Sequence, residues 1–399
     1  MPRTLRLTLT LLGALAAIYA LVVTWRKNER AAGLDFYIYF VASQLPARAD
    51  VDNIYAPEVQ ERVGEEYYER ALRSGSELRI YDAKRRRRLD NVSSPFLYTT
   101  FRWVSRNYER ALTQDHVLLL AAFVAGVLLL ARRVGVSWAA ALFLLAALLL
   151  WYRGFEADLR VGNVNSLQLF ACAAMLWAPP LAAGAILGAL LAFKPNLLAV
   201  ALLLAFARIA TREFHRLRIE IAGGAIGGAF AFVAASINFH SPRVWLQWIA
   251  AANQFWHRIP TRLERNVTPA LALFEKHGTA PSYAIAFVLF AIACAAIWRG
   301  RRADDPLVVG IGILIYLLSA PVVWLHYMVL VVPVAIALLR WRVTGAIALL
   351  ALAMIAEVPF ERLTQVPAAN VEAMLIAPAL FALYVCAIVR LSQRDPAAA

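Results

Sequence analysis

Charge is scarce in this chain. Asp, Glu, Lys and Arg make up 17% of its 399 residues, where a soluble domain carries about 25%. Hydrophobic residues make up 61%, and the mean hydropathy is +0.62. A soluble globular domain is thereby excluded, and the useful count is of apolar runs near the roughly 20 residues that cross a bilayer as a helix. Cysteine is nearly absent: Cys172, Cys294 and Cys386 each lie within an apolar run, without CxxC or Cys/His spacing. That pattern suggests neither a disulfide framework nor a zinc site. Gly/Ser-rich and repetitive stretches, the mark of disordered linkers, are missing. So is any nucleic-acid motif, although a net charge of +14 would raise that class in a soluble protein. The cations, mostly arginine, cluster at the ends of apolar runs, where they set orientation and meet anionic lipid.

What is there is a series of apolar runs at about 5–24, 116–131, 136–152, 164–180, 181–193, 196–210, 219–237, 281–298, 306–320, 322–339, 343–358 and 368–389. They predict an all-α polytopic membrane protein with about twelve transmembrane helices, some short enough to be tilted or broken. Arg3 and Arg6 ahead of the first run resemble a signal peptide, but no small-x-small site precedes Trp25-Arg26-Lys27, so a retained first helix is expected. Short basic loops follow at Arg132-Arg133, Arg208 to Arg218, Arg299 to Arg302, Arg340 to Arg342, and Arg390 with Arg394. With both termini cytoplasmic, one alternating path places all five inside.

Two segments, 26–115 and 238–280, are too long for turns and fall on the outer face of that path, where they are expected to carry function. The first should form short helices along the membrane surface. Its run Lys84-Arg85-Arg86-Arg87-Arg88 is compatible with an outer position, because loops beyond roughly 60 residues translocate largely regardless of charge, and it reads as a solvated or headgroup-binding face rather than a specific anionic-lipid site. Asn91-Val92-Ser93 and Asn266-Val267-Thr268 match the glycosylation sequon and read as chance.

Polar groups stand out where the apolar runs break. Asp35, in Gly33-Leu34-Asp35-Phe36-Tyr37-Ile38-Tyr39-Phe40, is a carboxylate held near the bilayer among aromatic residues, either an interfacial acid or a functional one. Phe193-Lys194-Pro195-Asn196 interrupts an apolar stretch, since proline cannot continue the helical ladder; Lys194 suits a phosphate there, or snorkels to the interface. Gly162-Asn163-Val164-Asn165-Ser166, with Gln168 one turn on, could cap a helix or hold sugar hydroxyls. The preceding Arg153, Glu156, Asp158 and Arg160 read as a self-paired charged loop. His326, between Trp324 and Tyr327, is an aromatic-belt element or a donor to a phosphate or hydroxyl. Asp35, Asn163, Asn165, Lys194 and His326 come from five parts of the chain and fall at one membrane face, which fits a transferase using a lipid-linked donor.

Asp35-Phe36-x-x-Tyr39, Pro95-Phe96-Leu97-Tyr98, Gly162-Asn163-Val164-Asn165, Lys194-Pro195 and Trp324-x-His326, in this order over roughly 30–340, resemble glycosyltransferase family 87. Members are polyprenol-phosphate-mannose-dependent mannosyltransferases with the GT-C fold. Where they commonly read Tyr-Pro-Pro this chain has Tyr98-Thr99-Thr100, Tyr327 follows the first of a common His-His pair, and Asn163 replaces a usual Gln. The resemblance implies Asp35 as general base, Lys194 and His326 at the donor phosphate, and Asn163, Asn165, Tyr98 and Tyr39 as sugar or acceptor contacts. It implies a polyprenyl-phosphate sugar donor, a glycolipid or glycan acceptor, membrane lipids as surroundings and no nucleic-acid partner. No cofactor or metal is expected, because side chains can neutralise a monophosphate leaving group. A transporter or flippase for a lipid-linked sugar is the competing class, expected to carry ionisable groups within its spans. A lipid-polymer ligase is another, expected to hold a diphosphate with arginines.

Overall fold

The computed structural model describes residues 2–258, 266–301, 303–356 and 368–393, and these are almost entirely helical. That is the form in which an apolar backbone satisfies its own N–H and C=O groups inside lipid. Among the described residues the only strand-like pairing is one bridge between Asn266 and Trp324. Helix α1 (Arg3–Asn28) carries the first apolar run. The short helices expected in the first long segment are α2 (Leu34–Gln44), α3 (Pro57–Ser74), α4 (Glu77–Arg85) and α5 (Pro95–Thr100). Pro57 and Pro95 open two of them, and the hydroxyls of Ser76 and Ser94 accept from the N–H groups of Arg79 and Leu97 to cap two. They share a core of their own around α2, in which Phe36, Tyr37, Phe40, Val63, Tyr67, Tyr98 and Phe101 are buried.

Helix α6 (Tyr108–Arg133) begins well ahead of the apolar run at 116, because Asn107 caps it at Arg110. The segment 26–115 therefore ends inside a helix, and Asp115 and His116, which the sequence leaves at a loop margin, are both buried in it. Next come α7 (Trp138–Trp151) and α8 (Arg153–Val161), bent by 61° at their junction, then α9 (Asn165–Met175) and α10 (Pro180–Phe193). A 3₁₀ turn, Pro195–Leu197, leads into α11 (Leu198–Ala210), followed by α12 (Phe214–Asn238). The segment 238–280 holds α13 (Arg243–Arg258) and α14 (Leu271–His277). Then follow α15 (Ala280–Gly300) and α16 (Asp305–Ser319), and a 3₁₀ stretch, Leu325–Val331, that runs into α17 (Val332–Leu338). The chain closes with α18 (Arg342–Ile355) and α19 (Ala368–Ser392). Each apolar run carries a helix, although the end of the run 343–358 and Arg394 lie outside the described residues. Among the described residues five helices are long and apolar enough to cross a membrane, six with the bent pair counted as one span, so the protein is a polytopic membrane protein.

Helices α16 and α17 are buried on nearly every residue and form the centre of the bundle, as apolar-all-round helices must. Peripheral helices show lipid their exposed leucine, isoleucine and phenylalanine side chains, among them Leu11, Leu15, Phe230, Ile237 and Phe287. Helices α10 and α12 run side by side at backbone contact. A Cβ on Gly184, Gly188, Gly223 or Gly227 would collide with a carbonyl oxygen of the facing helix, so only glycine permits the approach.

The two ends of the bundle differ. At one, Arg208 is 1% exposed and bound by Asp305 (2.7 and 2.8 Å) and Glu220, with Arg216 joining both carboxylates and Arg340 bonded to Asp304. This cluster ties α11, α12, α16 and the end of α17 together. Ionisable groups are also buried within helices elsewhere: Asp115 and His116 in α6 and Asp158 in α8 join Arg208 of α11. Arg208, Asp115 and His116 stand at the margins of apolar runs, and Asp158 stands among charged neighbours.

Candidate active site

The other end holds the residues singled out from the sequence, each placed by a helix terminus or a break. Asp35 lies in the first turn of α2, where the helix dipole favours a carboxylate. The turn before it is tied down by Asp82, whose Oδ2 accepts from the Gly33 N–H (3.2 Å) and from the Tyr108 hydroxyl (2.5 Å). Burial pushes the Asp82 carboxyl up to about 6. Asn163 sits at the corner between α8 and α9, which turns at Gly162 with a φ of +66°; a Cβ there would meet Phe36 at 2.5 Å, so the glycine lets the corner press onto α2. Lys194 follows α10 in an extended conformation, the one favoured before proline. His326 comes from the 3₁₀ stretch ahead of α17.

These side chains form one hydrogen-bonded cluster. Asp35 Oδ2 accepts from Asn163 Nδ2 at 2.7 Å and lies 3.9 Å from His326 Nε2, which is itself 3.3 Å from Asn163 Nδ2. Asn163 Oδ1 accepts from the Val164 N–H (2.8 Å) and from Lys194 Nζ (3.3 Å). Lys194 Nζ also reaches Asn165 Oδ1 at 3.4 Å and stands 4.5 Å from the centre of the Tyr327 ring. Asn165 Nδ2 donates to the His326 carbonyl at 3.2 Å, fixing the 3₁₀ stretch against α9. The Asp35 side chain keeps 20% of its surface open, so the base candidate is supported yet accessible.

Three residues belong to the site that the sequence reading passed over. Arg86 Nη2 donates to Asp35 Oδ1 at 2.8 Å, so at least one member of the basic run is no solvated face. Asp158 is fully buried and anchors Asn165 (2.9 Å) together with the N–H (3.0 Å) and hydroxyl (2.6 Å) of Ser166. Its neighbours fulfil the expected pairing only in part: Glu156 meets Arg160 at 3.9 Å and Lys27 at 2.9 Å. Tyr327, in the departure from His-His, supplies the ring beneath Lys194.

Tyr39 lies one turn beyond Asp35 on α2, stacked on Phe101. Tyr98 stands behind it, with ring centres 6.3 Å apart, fully buried and with its hydroxyl accepting from the Ser93 N–H. The structure thus brings Asp35, Asn163, Asn165, Lys194 and His326 together and keeps the Tyr98 hydroxyl outside their network. Both sequon asparagines are buried, with Asn91 donating to the Ile54 carbonyl and Asn266 to that of Pro321. Among the described residues no group of three His, Cys, Asp or Glu is placed to hold a metal ion.

The arrangement is one accessible carboxylate beside a half-buried ammonium, an imidazole and two amides, which suits a displacement that releases an anion. The family model described as glycosyltransferase family 87 matches residues 94–321, more than half of the chain, including Tyr98, Asn163, Asn165 and Lys194. Neither the search of curated proteins nor that of solved structures gave a match.

Proposed function

Because the chain belongs to glycosyltransferase family 87 and is a glycosyltransferase, we propose that it moves a hexose, mannose first among them, from a polyprenyl phosphate to a lipid or glycan acceptor. The observation that carries the reading is the hydrogen-bonded chain from Asp35 through Asn163 to Lys194, with His326 at its side. A carboxylate and an ammonium on opposite sides of one amide support a proton acceptor paired with a phosphate partner. In the reaction, the acceptor hydroxyl attacks the anomeric carbon while Asp35 takes its proton. A glycosidic C–O bond forms with inversion as the bond from the anomeric carbon to the phosphate oxygen breaks, and polyprenyl phosphate leaves with the electron pair. Lys194 and His326 stabilise the charge that develops on that oxygen, and Asn163 and Asn165 orient sugar or acceptor hydroxyls.

Supporting an outer-face site, Arg208, Arg216 and Arg340 from the short basic loops lie at the opposite end of the bundle, where the positive-inside rule would put the cytoplasm. Supporting a twelve-pass GT-C-type bundle, five shorter apolar helices and α9 add to the six span candidates. The test is to incubate the purified protein with radiolabelled polyprenyl-phosphate mannose and a membrane extract. A new labelled lipid or glycan is expected, and its absence while another polyprenyl-phosphate hexose gives product would replace mannose as the donor sugar. Failure with all such donors would remove the donor class.

A further inference from the structure

Arg86 closes over the side of Asp35 that Asn163 leaves free. All three of its guanidinium nitrogens are used: Nη2 donates to Asp35 Oδ1 at 2.8 Å, Nε to the Leu34 carbonyl at 3.2 Å, and Nη1 lies 3.6 Å from Asp90 Oδ2. The backbone behind it is fixed, because the Arg86 N–H donates to the Asp82 and Ala83 carbonyls as α4 ends. The carbonyl of Arg87 packs on Gly64 of α3, leaving no space for a side chain there. Its neighbours in the basic run turn elsewhere, Arg87 to Glu65 and Arg85 over the Tyr81 ring. Of these three arginines, then, one is delivered to the carboxylate by the fold of the loop.

We propose that Arg86 is a positioning residue for sugar transfer, holding the Asp35 carboxylate in a single plane from one oxygen while Asn163 holds the other. This rests on Asp35 as the base. A carboxylate tied at both oxygens cannot swing about its Cβ–Cγ bond, yet each oxygen keeps a second lone pair, so an acceptor hydroxyl still has somewhere to donate. Freed on one side, the carboxylate samples orientations in which the hydroxyl is misdirected, and displacement of a reacting group by 1 Å costs about 100-fold. The planar fork matters as well as the charge, since a lysine cannot reach the Leu34 carbonyl, Asp35 and Asp90 together.

The test is kinetic, on the full-length protein with polyprenyl-phosphate mannose and its acceptor extract. Arg86→Gln should lower kcat by about 30-fold or more with the donor KM within about twofold of the parent. Arg86→Lys should recover part of the loss. In an Asp35→Asn background, Arg86→Gln should change little further, because it acts through that carboxylate. Arg87→Gln, which leaves Asp35 untouched, should turn over like the parent. The proposal is overturned if Arg86→Gln keeps the parent kcat, if it costs the same factor with and without the Asp35 carboxylate, or if its main effect is a raised donor KM, which would make Arg86 a donor-binding group. Should Arg86→Gln not purify folded, Arg86→Lys carries the same comparison. If Asp35→Asn alone transfers at nearly the parent rate, the assignment of the base fails instead, and the two failures are told apart.

Discussion

If Asp35 takes the proton of the acceptor, Asp35→Asn keeps the shape of the side chain and loses its basicity, so turnover should fall by about 100-fold or more with donor binding little changed. Steady-state rates on well-folded protein decide it, and a rate within a few-fold of the parent would leave the carboxylate as an interfacial anchor only. Lys194→Ala should show the opposite emphasis, weakening donor affinity by about tenfold or more if the donor phosphate pairs with this ammonium. Binding of labelled donor measures that directly. Asp82 gives a prediction about pH. Its folded carboxyl is raised to about 6 from an ordinary 3.8, so the folded protein holds a proton that the unfolded chain has released. Stability from this group is fully present below about pH 4 and is lost as pH rises through 6, an effect of about 3 kcal/mol. Melting curves of the parent and of Asp82→Asn should diverge in shape across that window; parallel curves would refute it. Asp35, Asn163, Lys194 and His326 were legible in the sequence because each interrupts an apolar run or borders one. Arg86 was not, since five consecutive cations look alike until a loop turns one of them inward. Asp158 was masked in the same way by charged neighbours that seem to satisfy it.

At the scale of elements, the parallel pair α10 and α12 determines where Lys194 stands, because α10 ends at Phe193 just before it. Gly188→Leu would drive a side chain into the Gly224 carbonyl, forcing the helices apart at a cost of about 3 kcal/mol or more. A lower melting temperature and a lower rate are expected together. Gly228→Ala, on the partner helix α12 but with nothing within 4 Å of the new Cβ, should change neither. Equal effects of the two would mean that the approach of the helices is not what holds them. Apolar runs announced the long helices well, because lipid leaves a hydrophobic segment little choice but to close its own hydrogen bonds. They did not announce the start of α6, whose first turns are polar and are secured by the Asn107 cap and by burial of Tyr108 among Phe36, Tyr37 and Phe40. That burial is a long-range event, and no local periodicity encodes it.

For the whole molecule, the path through the bilayer predicts Arg86 and Gly278 outside, with Arg216 and Arg301 inside. Single cysteines placed at these positions and labelled with an impermeant reagent in intact cells should react at 86 and 278 only. Labelling at 216 from outside would reverse the orientation and move the site to the cytoplasm. The site itself is drawn from both halves of the chain, and this gives it a history during synthesis. Asp35 and Arg86 are only 51 positions apart, so at roughly 5–20 residues per second the arginine follows the carboxylate within about ten seconds. His326 is added on the order of tens of seconds later, after most of the helices have entered the membrane. The carboxylate and its arginine are therefore both made well before His326, and the hydrogen-bonded cluster is complete only once the chain beyond residue 326 has been inserted.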